Sequence, residues 1–313
     1  MRHLLSLADL STAEITRIFA ITEDLKAKFT AGVRQPLLPG RVAALLFQHP
    51  SMRTRVSFTS GMTHLGGSAM FLGGEVGWGS RESIADFGRV LSEYVDVVII
   101  RAKRHKDVTD LAEHCTCPVI NALTDYAHPC QAMADFFTLR ELLDDVSQHT
   151  LAYIGDGNNV ARSLAWGCAR LGVRFRIASP PGFALDAAFL DEVRGDAPEA
   201  DLEAMTDPLE AVREASAVYT DVWASMGQES ERQARLAAFA DYQVNAALMS
   251  AAPANAYFMH DLPAHRGEEV TDDVIDGPAS VIVQQAANRM HVQKGILVWL
   301  LGTQVQGTEA AAG

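Results

Sequence analysis

From about residue 41 onward, short apolar runs alternate with longer amphipathic stretches. The runs are Arg41–Phe47, Ala69–Leu72, Val97–Arg101, Pro118–Asn121, Thr150–Ile154, Arg174–Ala178, Ala217–Thr220, Ala256–Met259 and Ser280–Val283. Each is short and nearly continuous, the pattern of a parallel strand covered on both faces. Between them, Glu82–Tyr94, Cys130–Leu143 and Val160–Leu171 carry helical periodicity. Such alternation predicts right-handed βαβ units. The fold class expected is α/β, with two doubly wound parallel-sheet domains and a cleft between them. Thr12–Phe29 reads as a leading helix, with Ser11 and Glu14 as a capping box, and Ala286–Leu301 as a closing helix. The polar stretch Asp144–Gln148 marks a break. The expected organisation is a first domain over 1–145, a second over 146–285, a helix over 286–303 that packs back on the first, and a frayed tail over 304–313.

Composition narrows the function classes. In 313 residues, 48% are hydrophobic and 21% charged, which is enough apolar material for a large core without disulfide staples. Lys plus Arg is 26 and Asp plus Glu 39, a net charge of −13. A chain this acidic is a poor general ligand for nucleic acid or an anionic membrane, although a few convergent arginines can still hold a small anion. Cys115, Cys117, Cys130 and Cys168 form no CxxC pair and have no zinc spacing, which reads as reduced thiols in a cytoplasmic protein. The first residues lack a secretory pattern, and no apolar run is long enough to span a membrane.

The candidate chemistry clusters just after the predicted strands. Pro50-Ser51-Met52-Arg53-Thr54-Arg55 opens a helix after Phe47. Free backbone N–H groups, hydroxyls and a guanidinium there suit a phosphate; simple capping by Ser51 with two surface arginines is the plainer alternative. His128-Pro129-Cys130-Gln131, with Asp135 one turn on, follows the run ending at Asn121. An imidazole and a carboxamide can together read an amide-like group. Gly155-Asp156-Gly157-Asn158-Asn159-Val160 has Val160 where a dinucleotide turn needs its third glycine, which discounts NAD. Asn158 and Asn159 remain placed to meet a ligand. Asp221 with its small-residue loop through Ser225, Met226 and Gly227 can hold an ammonium group. His260-Asp261-Leu262-Pro263, Asn288-Arg289 and Arg101 complete the set. Their common position, beyond the carboxyl ends of parallel strands, is where α/β enzymes bind ligands.

In order and spacing these motifs resemble those of the aspartate/ornithine carbamoyltransferases, nearest to the ornithine branch, over essentially the whole chain. The resemblance implies a carbamoyltransferase with no metal and no organic cofactor, assembled as a trimer or a multiple of trimers. It implies that Ser51, Met52 (through its backbone), Arg53, Thr54 and Arg101 hold the phosphate of carbamoyl phosphate. His128 and Gln131 would hold its carbamoyl group, with Arg289 beside it, and Leu262 would also contact carbamoyl phosphate. Asn159, Asp221, Ser225 and Met226 would hold the amino-acid acceptor, and Arg101, His128, Asp261 and Arg289 would carry catalysis. Two positions depart from the family pattern. Asp261 stands where the ornithine branch normally has Cys. Gly77-Trp78 stands in a loop where many relatives place a Gln that reaches a neighbouring subunit, so Trp78 is a candidate contact to that subunit. These departures keep other amine acceptors open (another diamino acid, an acylated ornithine, a polyamine), as well as a weakly catalytic carbamoyl-phosphate-binding paralogue.

Overall fold

The computed structural model describes residues 2–79, 81–224 and 231–302. Helix α1 (Thr12–Thr30) starts at a capping box in which Ser11 and Glu14 bond each other's backbone N–H. The first unit continues β1 (Val42–Phe47), α2 (Met52–His64), β2 (Ser68–Leu72), α3 (Ile84–Ser92), β3 (Val97–Arg101), α4 (His105–His114), β4 (Val119–Leu123) and α5 (Pro129–Leu142). The second runs β5 (Thr150–Ile154), α6 (Asn159–Leu171), β6 (Arg174–Ala178), α7 (Ala187–Asp196), β7 (Leu202–Met205), α8 (Pro208–Val212), β8 (Ala217–Thr220), α9 (Arg232–Ala238), α10 (Ala246–Ala251), β9 (Tyr257–His260) and α11 (Asp272–Ile275). Helix α12 (Ile282–Leu301) closes the described chain.

Both sheets are parallel, with strand orders β2-β1-β3-β4 and β7-β6-β5-β8-β9. Each order reverses once, between β1 and β3 and between β5 and β8. Connections leave these strand pairs in opposite directions, so a crevice opens beyond their carboxyl ends. Ser51, Asn158 and Asp221 stand just past β1, β5 and β8, and Arg101 is the last residue of β3. The topology therefore explains why residues far apart in sequence gather there.

Central strands β3 and β5 are buried along their whole length. Two close approaches fix how the layers meet. A side chain on Gly167 of α6 would put its Cβ 2.0 Å from Phe136 Cε2 on α5. One on Gly295 of α12 would sit 2.2 Å from Thr22 Oγ1 on α1. Absence of a side chain at these positions lets α6 lie against α5 and α12 against α1; α12 also packs on α5 and α2.

Two local readings of the sequence are corrected. Ser280–Val283 is not a strand: Ser280 makes an isolated bridge to Phe258, and Ile282 already begins α12, four residues before the expected start at Ala286. A short apolar run looks alike as a strand or as a buried first helical turn. Strand β7 gave no sequence signal, because this edge strand has buried Leu202 but exposes Glu203 and Ala204. The expected tail over 304–313 lies outside the described residues.

Candidate active site

Ser51 caps α2, accepting from the Thr54 amide, and its hydroxyl lies 3.0 Å from Thr54 Oγ1. Thr54 Oγ1 also receives Arg289 Nη2 at 2.8 Å. With both lone pairs engaged, the Thr54 hydroxyl keeps its own proton for a further acceptor. The Met52 side chain is exposed, leaving its backbone at the helix N-terminus. Arg53 reaches across the cleft and donates to the Leu262 carbonyl at 2.6 Å. Arg55 instead turns outward over the Phe71 ring. Register pairs Phe47 with Arg101, which brings Arg101 beside the entry to α2.

Arg53, Arg101 and Arg289 converge. Burial, then the charge of Arg289, lowers Arg101 to about 10, and burial lowers Arg289 as well. The Nε atoms of all three are buried and meet no protein acceptor. Cations are not gathered this way for stability, because the repulsion is uncompensated. Three guanidiniums so placed can hold an anion.

His128 precedes α5, its backbone N–H donating to Ser163 Oγ at 2.8 Å. Burial, then Arg289 and Arg101, holds its ring well below the usual histidine range, so the imidazole is neutral. Gln131 donates from Nε2 to Asp135 Oδ1 at 2.8 Å, which leaves its buried Oε1 without a protein partner. Gln285 Nε2 donates to the same Asp135 oxygen at 2.8 Å, and Tyr219 Oη to the other at 3.1 Å. Gln285 Oε1 in turn accepts the His260 amide at 3.0 Å. Asp135 thus ties α5, β8, β9 and α12 into one buried network. Burial raises its carboxyl to about 7.

The opposite wall is acidic. Register pairs Thr220 with His260, so Asp221 and Asp261 follow adjacent strand ends. Asp221 accepts from the Val222 amide at 2.7 Å and from Asn158 Nδ2 at 2.8 Å. Asn158 itself caps α6 through the Val160 and Ala161 amides. Burial, then Asp261, pushes Asp221 well above the usual carboxylate range. Burial would raise Asp261 too, but its contacts with His260 and Asp221 outweigh it and hold it low. The two carboxyls therefore share one proton as a pair. Arg235 braces the start of the Asp221 loop, binding Asp156 at 2.7 Å and the Trp223 carbonyl at 3.0 Å.

Ligand atoms of Asp221, His260 and Asp261 lie within 4.8 Å of one another, close enough to surround a cation. His260 has no lone pair to give. Its Nδ1 takes the Leu262 amide at 2.9 Å, and its Nε2 faces Glu269 Oε1 at 3.2 Å. Against burial, Asp261 and Glu269 raise His260 to about 9, a pull toward the imidazolium that the Leu262 amide resists. In neither state is a ring nitrogen free, so the donor set does not fit a metal. Leu262 stands at φ 59°, an uncommon conformation for a bulky residue, and this turns its carbonyl toward Arg53.

Of the candidate residues, Ser51, Arg53, Thr54, Arg101, His128, Gln131, Asp221, Asp261, Leu262 and Arg289 line this one cleft. Asn159 is close by but donates to the Thr124 carbonyl at 2.6 Å, while its neighbour Asn158 touches Asp221. Trp78 folds inward on Phe87, 7% exposed. Ser225 and Met226 lie outside the described residues. Sequence reading missed Tyr219, Gln285 and Glu269 as supports. Only Asp135 carried a signal, one turn after Gln131.

Residues 2–141 match the aspartate/ornithine carbamoyltransferase carbamoyl-P binding domain, and residues 147–300 match the Asp/Orn binding domain of the same family. The chain is 49% identical to the ornithine carbamoyltransferase of Methanopyrus kandleri over 304 residues, covering 96% of this chain and 97% of that one. It is 48% identical to the ornithine carbamoyltransferase of Bacillus subtilis, covering 96% and 94%. The solved structure of ornithine carbamoyltransferase from Pyrococcus furiosus superposes with a TM-score of 0.94 at 46% identity, covering 96% of this chain and 97% of that one. Among the described residues no helix is long and apolar enough to cross a membrane. With both halves matched in order and the cleft between them lined as described, the chain belongs to the aspartate/ornithine carbamoyltransferase family and is a carbamoyltransferase.

Proposed function

We propose that the protein transfers the carbamoyl group of carbamoyl phosphate to the side-chain amine of L-ornithine, giving L-citrulline and phosphate. The observation that carries this reading is the polarity of the cleft: guanidiniums and a neutral imidazole face a carboxylate pair. The phosphate dianion takes the first-turn amides of Met52 and Arg53 and the guanidiniums of Arg53 and Arg101; Ser51 and Thr54 shape this pocket, the Ser51 proton going to Thr54 Oγ1 and the Thr54 amide to Ser51 Oγ. The carbamoyl oxygen accepts from Thr54, Arg101 and His128, where negative charge develops during attack. Arg289 orients Thr54 and adds positive charge beside it. Gln131 Oε1 accepts from the carbamoyl NH2 group, because its own NH2 is committed to Asp135. The Leu262 carbonyl offers that NH2 group a second acceptor.

Asn159, Asp221, Ser225 and Met226 hold the amino-acid end of the acceptor. Asp261 accepts a proton from the side-chain ammonium, and the freed lone pair attacks the carbonyl carbon. The carbon–oxygen bond to phosphate then breaks, and phosphate leaves with the electron pair and the second amine proton. Positioning and electrostatics supply the rate, with no covalent enzyme intermediate.

One observation favours a second reading of the acceptor. Two adjacent buried carboxyls that share one proton can take the ammonium of any amine that fits between the walls, so another diamino acid or a polyamine is the alternative. Assembly is proposed as a trimer or a multiple of trimers. Exposed Met52, Val56, Met70 and Phe71 on α2 and β2 support a subunit contact on that face. Light scattering of the purified protein measures it.

A product assay with carbamoyl phosphate and a panel of amines tests the activity. Citrulline as the dominant product sustains the proposal. A ureido product from another amine reassigns the acceptor wall alone. No turnover on any amine, with carbamoyl phosphate bound, overturns the reaction.

A further inference from the structure

Two of the four cysteines stand apart from the cleft, in the turn between α4 and β4. Cys115 is in extended backbone at the end of α4, and Cys117 follows two residues on through a bend. Both reach the last turn of α3: Cys115 Sγ lies 3.8 Å from the Gly88 carbonyl, and Cys117 Sγ 3.7 Å from Ser92 Oγ. Ser92 donates its hydroxyl proton to that same carbonyl at 2.7 Å and receives the Thr116 amide at 3.1 Å. One helical turn therefore pins both sulfurs. Two residues of chain span at most about 7 Å. The bend at Thr116 and Cys117 shortens that toward the roughly 4.4–6.8 Å that a disulfide bridges.

We propose that Cys115 and Cys117 are a thiol–disulfide exchange pair, with Cys117 the attacking sulfur and Cys115 the resolving one. The neighbouring Cys115 thiol draws Cys117 down to about 7 against burial, while Cys117 and burial push Cys115 up. The other cysteines contrast with this. Cys130 and Cys168 are fully buried in the main core, and burial alone raises the first to about 12 and the second well above its ordinary value. Cys115 and Cys117 keep 8% and 6% of their surface. Thiolate character and access together select which cysteines react.

The oxidant is a low-molecular-weight disulfide. The Cys117 thiolate attacks one of its sulfurs, forming a mixed disulfide and expelling one thiolate. Cys115 passes its proton to that leaving group, and its sulfur attacks Cys117. The second half of the oxidant departs as a thiol once it takes a proton from water. Two protein thiols become one disulfide, and one small disulfide becomes two thiols.

Intact-mass measurement of the native protein after incubation with oxidised glutathione tests this. The expected result is a loss of two hydrogens with no glutathione retained, and a peptide linking Cys115 to Cys117. Cys115→Ser is expected to trap one glutathione on Cys117, and Cys117→Ser to stay unmodified. An unchanged wild-type mass would overturn the proposal. So would a wild type that retains glutathione, or equal reaction of Cys130 and Cys168, which would mean general unfolding.

Discussion

The two walls of the cleft are opposite in charge and opposite in how that charge is held. On the first-domain wall, Arg53, Arg101 and Arg289 repel one another; Arg53 donates to the Leu262 carbonyl and Arg289 to the Thr54 hydroxyl. On the second-domain wall, the acids pair among themselves. Asp221 leans on Asn158 and a backbone amide, and Asp261 leans on His260, which is backed by Glu269. The cationic wall is complete only with a ligand, whereas the acidic wall holds one proton between two carboxyls and can accept another. This difference matches the substrates proposed: a dianion that must stay bound as phosphate leaves, and an ammonium that must lose a proton before it can attack.

Removing a cation tests the first wall hardest. Arg101→Ala is expected to lower kcat/KM for carbamoyl phosphate by about 100- to 1,000-fold, the cost of deleting one electrostatic stabiliser. Since Arg101 is disfavoured by burial and by Arg289, the melting temperature should hold or rise. A variant that melts early would make Arg101 a structural residue. A stable variant of normal activity would remove the anion-binding role of this wall.

The second wall is broken by Asp261→Asn, with an expected loss of about 100-fold in kcat/KM for the acceptor, in line with loss of a general base. Binding of carbamoyl phosphate, read by thermal shift, should persist. The pH profile sharpens the test. Without Asp261, the acceptor must arrive as the free amine, so kcat/KM should keep rising toward the ordinary amine pKa of about 10. Wild type should level off at lower pH. Coincident profiles would take the proton-accepting role away from Asp261.

How far this contrast was readable depended on which residues are neighbours. Strands β3 and β5 match their predicted limits because buried parallel strands are apolar throughout, so burial writes itself into composition. Edge strand β7 escaped because half of it faces water. The motifs at Ser51, His128 and Arg289 were legible because each follows or opens an element in a recognisable order. The Asp221–Asp261 pair was not, because it depends on β8 and β9 lying side by side with Thr220 opposite His260, a register that no local pattern encodes. For the same reason Asp135 read as a helix residue after Gln131. Its partners Tyr219 and Gln285 come from chain 84 and 150 residues away.

Asp135 is where the two walls are tied together, and its expected effect is the smallest. Asp135→Asn keeps Oδ1 for Gln131 and Gln285, and its new amide can donate to the Tyr219 hydroxyl, so the fold should survive. The wild-type carboxyl titrates at about 7 in the folded protein because of burial and at about 4 when unfolded. Between these values the folded state binds the proton more tightly, so this group's contribution to stability is full below about pH 4, falls as pH rises, and is gone above about pH 7. The amide has no such titration. Stability of Asp135→Asn relative to wild type should therefore increase from pH 4 to 7 and then level, as read by denaturant unfolding at a series of pH values. A flat difference would mean that Asp135 stays ionised across the range, held by its three donors despite burial, and Gln131 would then be anchored by a charge at every working pH.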